Sequence, residues 1–112
     1  MEVARLPALA LYNPPMPAYI VARVQVTDWE RYRQYTQATP GAIDKFGGRF
    51  IVRGGETISL EGPPETARLV IIEFPSVEHA KAFYASEEYS QAKKLREGAA
   101  TGQFLAVEGY GT

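Results

Sequence analysis

The sequence predicts an α+β fold in the order strand, helix, strand, strand, helix, strand: a four-stranded antiparallel sheet with its helices on one face. Three observations lead there. Residues 18–26 alternate between apolar and mixed side chains, and residues 67–74 carry an uninterrupted apolar centre. Two longer stretches repeat aromatic and apolar residues at helical spacing, each behind an N-capping residue. Glycine and proline pairs punctuate the joins. At 112 residues the chain suits one domain, which should bury roughly two-thirds of the surface its unfolded form exposes.

In AYIVARVQV, residues 18–26, Ile20, Ala22, Val24 and Val26 share one face, and Tyr19, Val21, Arg23 and Gln25 the other. The first face is core. The second carries Arg and Gln and is therefore wet or a binding surface. Thr27 and Glu30 have capping-box spacing, so a helix starts here, with a stripe of Trp29, Tyr32, Tyr35 and Thr36 packed on the sheet. Pro40 lacks the N–H of a helix interior and restricts Thr39, which predicts a break and a restart over Ala42–Phe46 before Gly47 and Gly48 stop the helix.

A second strand is expected at Arg49–Arg53, with a bulge at Gly54-Gly55 and a resumption over Glu56–Leu60, before the Gly62-Pro63-Pro64 turn. The third, residues 67–74, reads as interior to the sheet and ends at Pro75. Ser76 caps a helix carrying Val77, Ala80, Phe83 and Tyr84, and Ser86 caps a second segment with Tyr89, Ala92 and Leu95, so this helix is broken in two. Gly98 and Gly102 close it, and Phe104–Glu108 form the last strand. Right-handed crossovers arrange such a chain as a ferredoxin-like βαββαβ fold over residues 16–112 with one bare sheet face. That face holds Val21 and Ile51, which predicts that two sheets meet as a homodimer. Residues 1–15, whose apolar run is broken by Pro7, lack a signal-peptide pattern and are expected to form a mobile arm.

These residues resemble the family catalogued as domain of unknown function 1330, of the dimeric α+β barrel superfamily. The resemblance runs from Met16 to Gly109 through Met16-Pro17-Ala18-Tyr19, Thr27-Asp28, Gly47-Gly48-Arg49-Phe50, Arg53-Gly54-Gly55 and Arg68-Leu69-Val70. It continues through Glu73-Phe74-Pro75-Ser76, Ser86-Glu87-Glu88-Tyr89 and Val107-Glu108-Gly109. Each motif is short, and the set in order is specific. Glu87 stands where related sequences often carry proline, and the arm lies outside the pattern. The resemblance implies a ferredoxin-like protomer and a homodimer closed into a barrel. Related barrels include cofactor-independent oxygenases, isomerases and haem-handling proteins.

Composition narrows the chemistry. Twelve Lys and Arg against thirteen Asp and Glu give a formal charge of −1, which argues against nucleic acid and anionic membranes as partners. No run is long and apolar enough to span a membrane. Without cysteine there is no thiolate nucleophile, disulfide or Cys-ligated zinc, in keeping with a cytoplasmic location. His79, the one histidine, has no His-carboxylate companion pattern, so no metal site and no cofactor is expected, and a solvated helix histidine is the simpler reading.

The candidate ligand-binding residues are Arg23, Tyr35, Arg53, Glu73 and Tyr89. Arg53 precedes two glycines and presents a fork for a carboxylate or phosphate, or the glycines merely bend the strand while Arg53 pairs with Glu73. Glu73 shares the parity of Leu69 and Ile71. It is either a desolvated base or, more simply, the partner of Arg53 or Arg23. Tyr32, Tyr35, Tyr84 and Tyr89 either project phenols into a cleft between helices and sheet or are core. Ser86 is a cap, since His79 lies about two turns away and cannot activate it. Two functions follow: a protein that binds a small organic acid, or performs cofactor-independent catalysis, in a barrel pocket lined by these groups, or a non-catalytic homodimeric association module.

Overall fold

A computed structural model describes residues 16–110, and the expected N-terminal arm lies outside the described residues. The described chain runs β1 (Ala18–Val26), α1 (Trp29–Lys45), β2 (Arg49–Arg53), β3 (Arg68–Phe74), α2 (Val77–Ala85), α3 (Glu87–Leu95) and β4 (Ala100–Glu108). The strands form one antiparallel sheet in the order β2-β3-β1-β4. β3, with its apolar centre from Leu69 to Ile72, is interior, as its sequence requires. Ile20, Ala22 and Val24 of β1 with Val70, Ile72 and Phe74 of β3 form the sheet side of the core. Tyr32, Tyr35, Ile43, Ala80, Phe83, Tyr89 and Ala92 cover it from the helices. Each ring so buried contributes about 1.5–3 kcal/mol over leaving it exposed.

The N-cap of α1 is Asp28, whose side chain accepts from the Arg31 amide at 3.1 Å. Thr27, the expected cap, is committed elsewhere: both its amide and its hydroxyl donate to the Ala99 carbonyl, at 2.8 and 3.1 Å, tying the start of β4 to the end of β1. The expected break at Pro40 does not occur, and α1 is continuous. A proline at position 40 leaves the Thr36 carbonyl without its helical donor. Arg53 Nη2 donates to that carbonyl at 2.6 Å, while buried Ala42 and Ile43 hold the last turn on the core. The helix ends in a Schellman turn: the Gly48 amide reaches the Ile43 carbonyl at 2.9 Å, Gly47 reaches Asp44 at 3.0 Å, and Gly47 takes φ +77°.

The expected bulge at the glycines lies instead inside β2, where the pairing with β3 shifts between Phe50 and Val52. The expected resumption over residues 56–60 is absent. Gly54, at φ +76°, turns the chain off the sheet, and Ile58 and Leu60 have no core to pack against. β4 starts at Ala100 rather than Phe104, because the outer edge of β1 is paired as far as Val26 and Gly102 lies opposite Val24. Ser76 and Ser86 cap α2 and α3 as expected, accepting from the His79 and Tyr89 amides.

Among the described residues, no helix covers the second sheet face. A row of aliphatic residues crosses all four strands there, with Val52 beside Ile71, Ile71 beside Val21, and Val21 beside Leu105. Leu105 is 55% exposed and Val107 50%. No helix of the described residues is long and apolar enough to cross a membrane.

Candidate functional site

The five sequence candidates do not converge. Arg23 and Glu73 lie on the bare sheet face, whereas Tyr35, Tyr89 and Arg53 lie on the helix side. The bulge explains Arg53. One extra residue in β2 reverses the side-chain parity beyond it, so Val52 shares the face of Ile71 and Arg53 the face of Val70.

On the bare face the charges are satisfied within the subunit. Arg23 grips Glu65 through Nε at 3.0 Å and Nη2 at 2.8 Å. That pairing, with the Ala67 amide, holds the Glu65 carboxyl down at about 2. Glu73 pairs with Arg49 Nε at 2.7 Å and accepts from the Tyr19 hydroxyl at 3.4 Å. Its partner is thus the residue directly across the β2–β3 ladder, neither Arg53 nor Arg23. His79 is exposed on α2, with Nδ1 2.7 Å from the Ser76 hydroxyl. Among the described residues, no group of three His, Cys, Asp or Glu side chains could hold a metal.

The helix side gathers different residues. A groove of about 370 Å³ lies between α1 and the β2–β3 edge, lined by Trp29, Arg33, Thr36, Gln37, Arg53 and Arg68. Among the described residues, no carboxylate lies within ion-pair distance of Arg33, Arg53 or Arg68. The Arg53 guanidinium sits 4.1 Å from the Phe50 ring centre, braced by the Thr36 carbonyl. Arg68 lies 5.7 Å from the Trp29 ring and 5.8 Å from that of Tyr32, with its Nε buried and without a partner among the described residues. Its head crosses Gly54 so closely that a Cβ there would meet Nη1 at 1.9 Å.

Behind the groove is an inner cavity of about 30 Å³, room for one or two waters, which shares Thr36, Arg53 and Arg68 with it. Its walls include Tyr32, Tyr35, Phe50, Tyr84, Tyr89 and Phe104. The Tyr35 and Tyr89 hydroxyls are 2.8 Å apart, and Arg96 Nη2 stands 3.4 Å from that of Tyr89. Arg96, the C-cap of α3, is buried with its guanidinium 4.6 Å from the Phe104 ring and 5.4 Å from that of Tyr35. Burial first, and the neighbouring Tyr89 second, push the Tyr35 phenol far above its ordinary range.

Sequence reasoning reached Tyr35, Tyr89 and Arg53 but missed Arg33, Arg68 and Arg96. Arg68 had a readable signal, an arginine on the same strand parity as Val70 and Ile72. Arg96 follows Tyr89 by seven residues and so returns to the same helix face. Trp29 was expected under the helix but is 52% exposed at the groove.

The comparisons with known proteins agree with this fold. The family model described as Domain of unknown function (DUF1330) matches residues 17–110. The chain belongs to this family. The RPA0582 protein of unknown function from Rhodopseudomonas palustris superposes with a TM-score of 0.69 at 20% identity, covering 100% of this chain and 97% of that one. SnoaB, a cofactor-independent oxygenase from Streptomyces nogalater, gives 0.62 at 12% identity, over 87% and 96%. A dimeric protein of unknown function and ferredoxin-like fold from Bacteroides fragilis gives 0.52 at 13%, over 83% and 96%. At these identities the likeness extends to the ferredoxin-like fold. Among curated proteins none matches the sequence.

Proposed function

We propose that this member of the DUF1330 family is a homodimeric small-molecule-binding protein whose groove between α1 and the β2–β3 edge takes a small organic acid. The observation that carries the reading is the convergence of Arg33, Arg53 and Arg68 on one groove without a carboxylate among the described residues. Guanidinium groups held against aromatic faces and a backbone carbonyl are pre-oriented forks for a carboxylate. Trp29 offers a ring face for the ligand's apolar body. In this reading the pocket lies between helices and sheet, not in the interior of the dimeric barrel.

The bare sheet face supports the association half of the proposal. Its polar residues are paired within the subunit, Arg23 with Glu65 and Arg49 with Glu73, and its centre is the aliphatic row through Val52, Ile71, Val21 and Leu105. Such a face suits a second copy: apolar in the middle, and charged at the rim with both signs already neutralised. The dimeric Bacteroides fragilis neighbour, of the same fold, is consistent with that arrangement. An association module without any ligand is the competing function, and the satisfied ion pairs of this face favour it over a barrel-interior pocket.

Thermal shift with a panel of benzoates and short aliphatic carboxylates tests the binding half. The expected result is stabilisation of the wild type that is reduced by several-fold in Arg33→Ala, a substitution at an exposed position. Equal shifts in the two proteins would remove this groove as the site, and no shift with any acid would leave the association module as the function.

A further inference from the structure

We infer that the inner cavity receives an uncharged acceptor oxygen of the ligand, with Tyr35 and Tyr89 as the donors, so that the ligand class is an organic anion carrying a second, carbonyl-type oxygen. This rests on the binding reading above and refines it. Each phenol has one O–H, and an arginine can only donate. The two hydroxyls share a single hydrogen bond at 2.8 Å, and Arg96 adds a further donor at 3.4 Å from the Tyr89 oxygen. Whichever phenol donates to the other, one O–H is left over.

Neither hydroxyl has an acceptor elsewhere among the hydrogen bonds of the described residues. Both side chains are buried, and an O–H left unpaired in such a place is costly. Both line the same cavity of about 30 Å³, which admits one oxygen but no ring. Tyr35 remains a donor across the working pH range, since burial disfavours its phenolate. The phenol pair therefore always has one proton to give, and the Arg96 guanidinium beside it can only donate. A ligand oxygen takes the spare O–H, which a group without a lone pair leaves unpaired. The arginines of the groove, which meets the cavity at Arg53 and Arg68, hold the anionic end.

The test uses two probes of nearly the same shape, 4-acetylbenzoate and 4-isopropylbenzoate, which share the carboxylate and differ in the ketone. Isothermal titration of the wild type should favour the ketone by about tenfold, a typical return for satisfying a buried donor. The count makes a sharper demand on variants. Tyr35→Phe or Tyr89→Phe alone leaves one phenol proton free and keeps the preference. Tyr35→Phe/Tyr89→Phe together removes both phenol protons, and the two probes then bind alike.

A second measurement guards against a double variant that fails to fold: the infrared stretch of carbonyl-labelled 4-acetylbenzoate on the wild type. It should fall on binding below its position in an aprotic solvent. Both probes binding equally, a preference that survives the double substitution, or an unshifted carbonyl each overturns the donor assignment while leaving the groove as an anion site. If neither probe binds at millimolar concentration, the binding reading fails, and this inference with it.

Discussion

Pro40 and Arg53 form a coupled pair that a double-mutant cycle can expose. The proline removes the amide that would bond the Thr36 carbonyl, and its ring crowds that carbonyl outward. Arg53 Nη2 takes the bond at 2.6 Å from a different element. Hydrogen bonds from charged donors are worth about 1.5–3 kcal/mol, and this exposed one should fall near or below the low end, about 1 kcal/mol. Arg53→Ala also forfeits its contact with the Phe50 ring, about 0.5–1 kcal/mol at an exposed site. Its cost in the wild type is therefore about 1.5–2 kcal/mol. In a Pro40→Ala background the restored backbone amide closes the helix on Thr36, and Arg53→Ala should cost only the ring contact. The difference, about 1 kcal/mol, is the coupling. Effects of the proline on the unfolded chain cancel in the cycle. Urea denaturation at fixed protein concentration, followed by fluorescence of Trp29, the one tryptophan, supplies all four stabilities. An equal cost of Arg53→Ala in both backgrounds would refute the claim that Arg53 substitutes for the missing amide.

Three further outcomes are expected. Gly54→Ala forces a side chain into φ +76° and against the Arg68 head, so it should cost at least ~1 kcal/mol by urea denaturation and weaken benzoate binding together with stability. The Glu65 carboxyl titrates lower in the folded protein, at about 2, than its ordinary 4.5, so its contribution to stability is fully present above pH 4.5 and lost as pH falls toward 2. The stability gap between wild type and Glu65→Gln should therefore shrink over that window, and a gap constant from neutral pH to pH 2 would contradict it. Leu105→Asp, at a position exposed in the subunit, should shift the protein from dimer to monomer in sedimentation without loss of secondary structure, and a variant that stays dimeric removes the bare sheet face as the interface.

The fold was largely legible because local signals agreed with each other. Alternation in residues 18–26, the apolar run of β3, and the serines ahead of α2 and α3 each named an element that the structure contains. The misreadings came where a distant residue supplied what the local sequence lacked. Thr27 looked like a cap, but Ala99, far along the chain, claims it. Pro40 looked like a break, but Arg53 from β2 bonds the carbonyl it frees. The start of β4 was hidden by Gly102, which read as a stop together with Gly98 until the register of β1 placed it inside the strand, opposite Val24.

The site was less legible for a single reason, the bulge in β2. With regular pairing, Arg49, Ile51 and Arg53 would share the bare face, and the sequence candidates Arg23, Arg53 and Glu73 would surround one barrel pocket. The inserted residue between Phe50 and Val52 sends Arg53 to the helix side, where it joins Arg68 and Arg33. Arg49, ahead of the bulge, lies opposite Glu73 and pairs with it, so with Arg53 on the other side the bare face closes its ion pairs and keeps an apolar centre. One extra residue thus separates the two tasks proposed above, association on one face of the sheet and recognition of an anion on the other, which the sequence alone merged. Inserting one residue between Val52 and Arg53 is the direct consequence to check: it would carry Arg53 one step on, opposite Leu69 on the aliphatic face, and empty the groove of one arginine, so acid binding and dimerisation should weaken together.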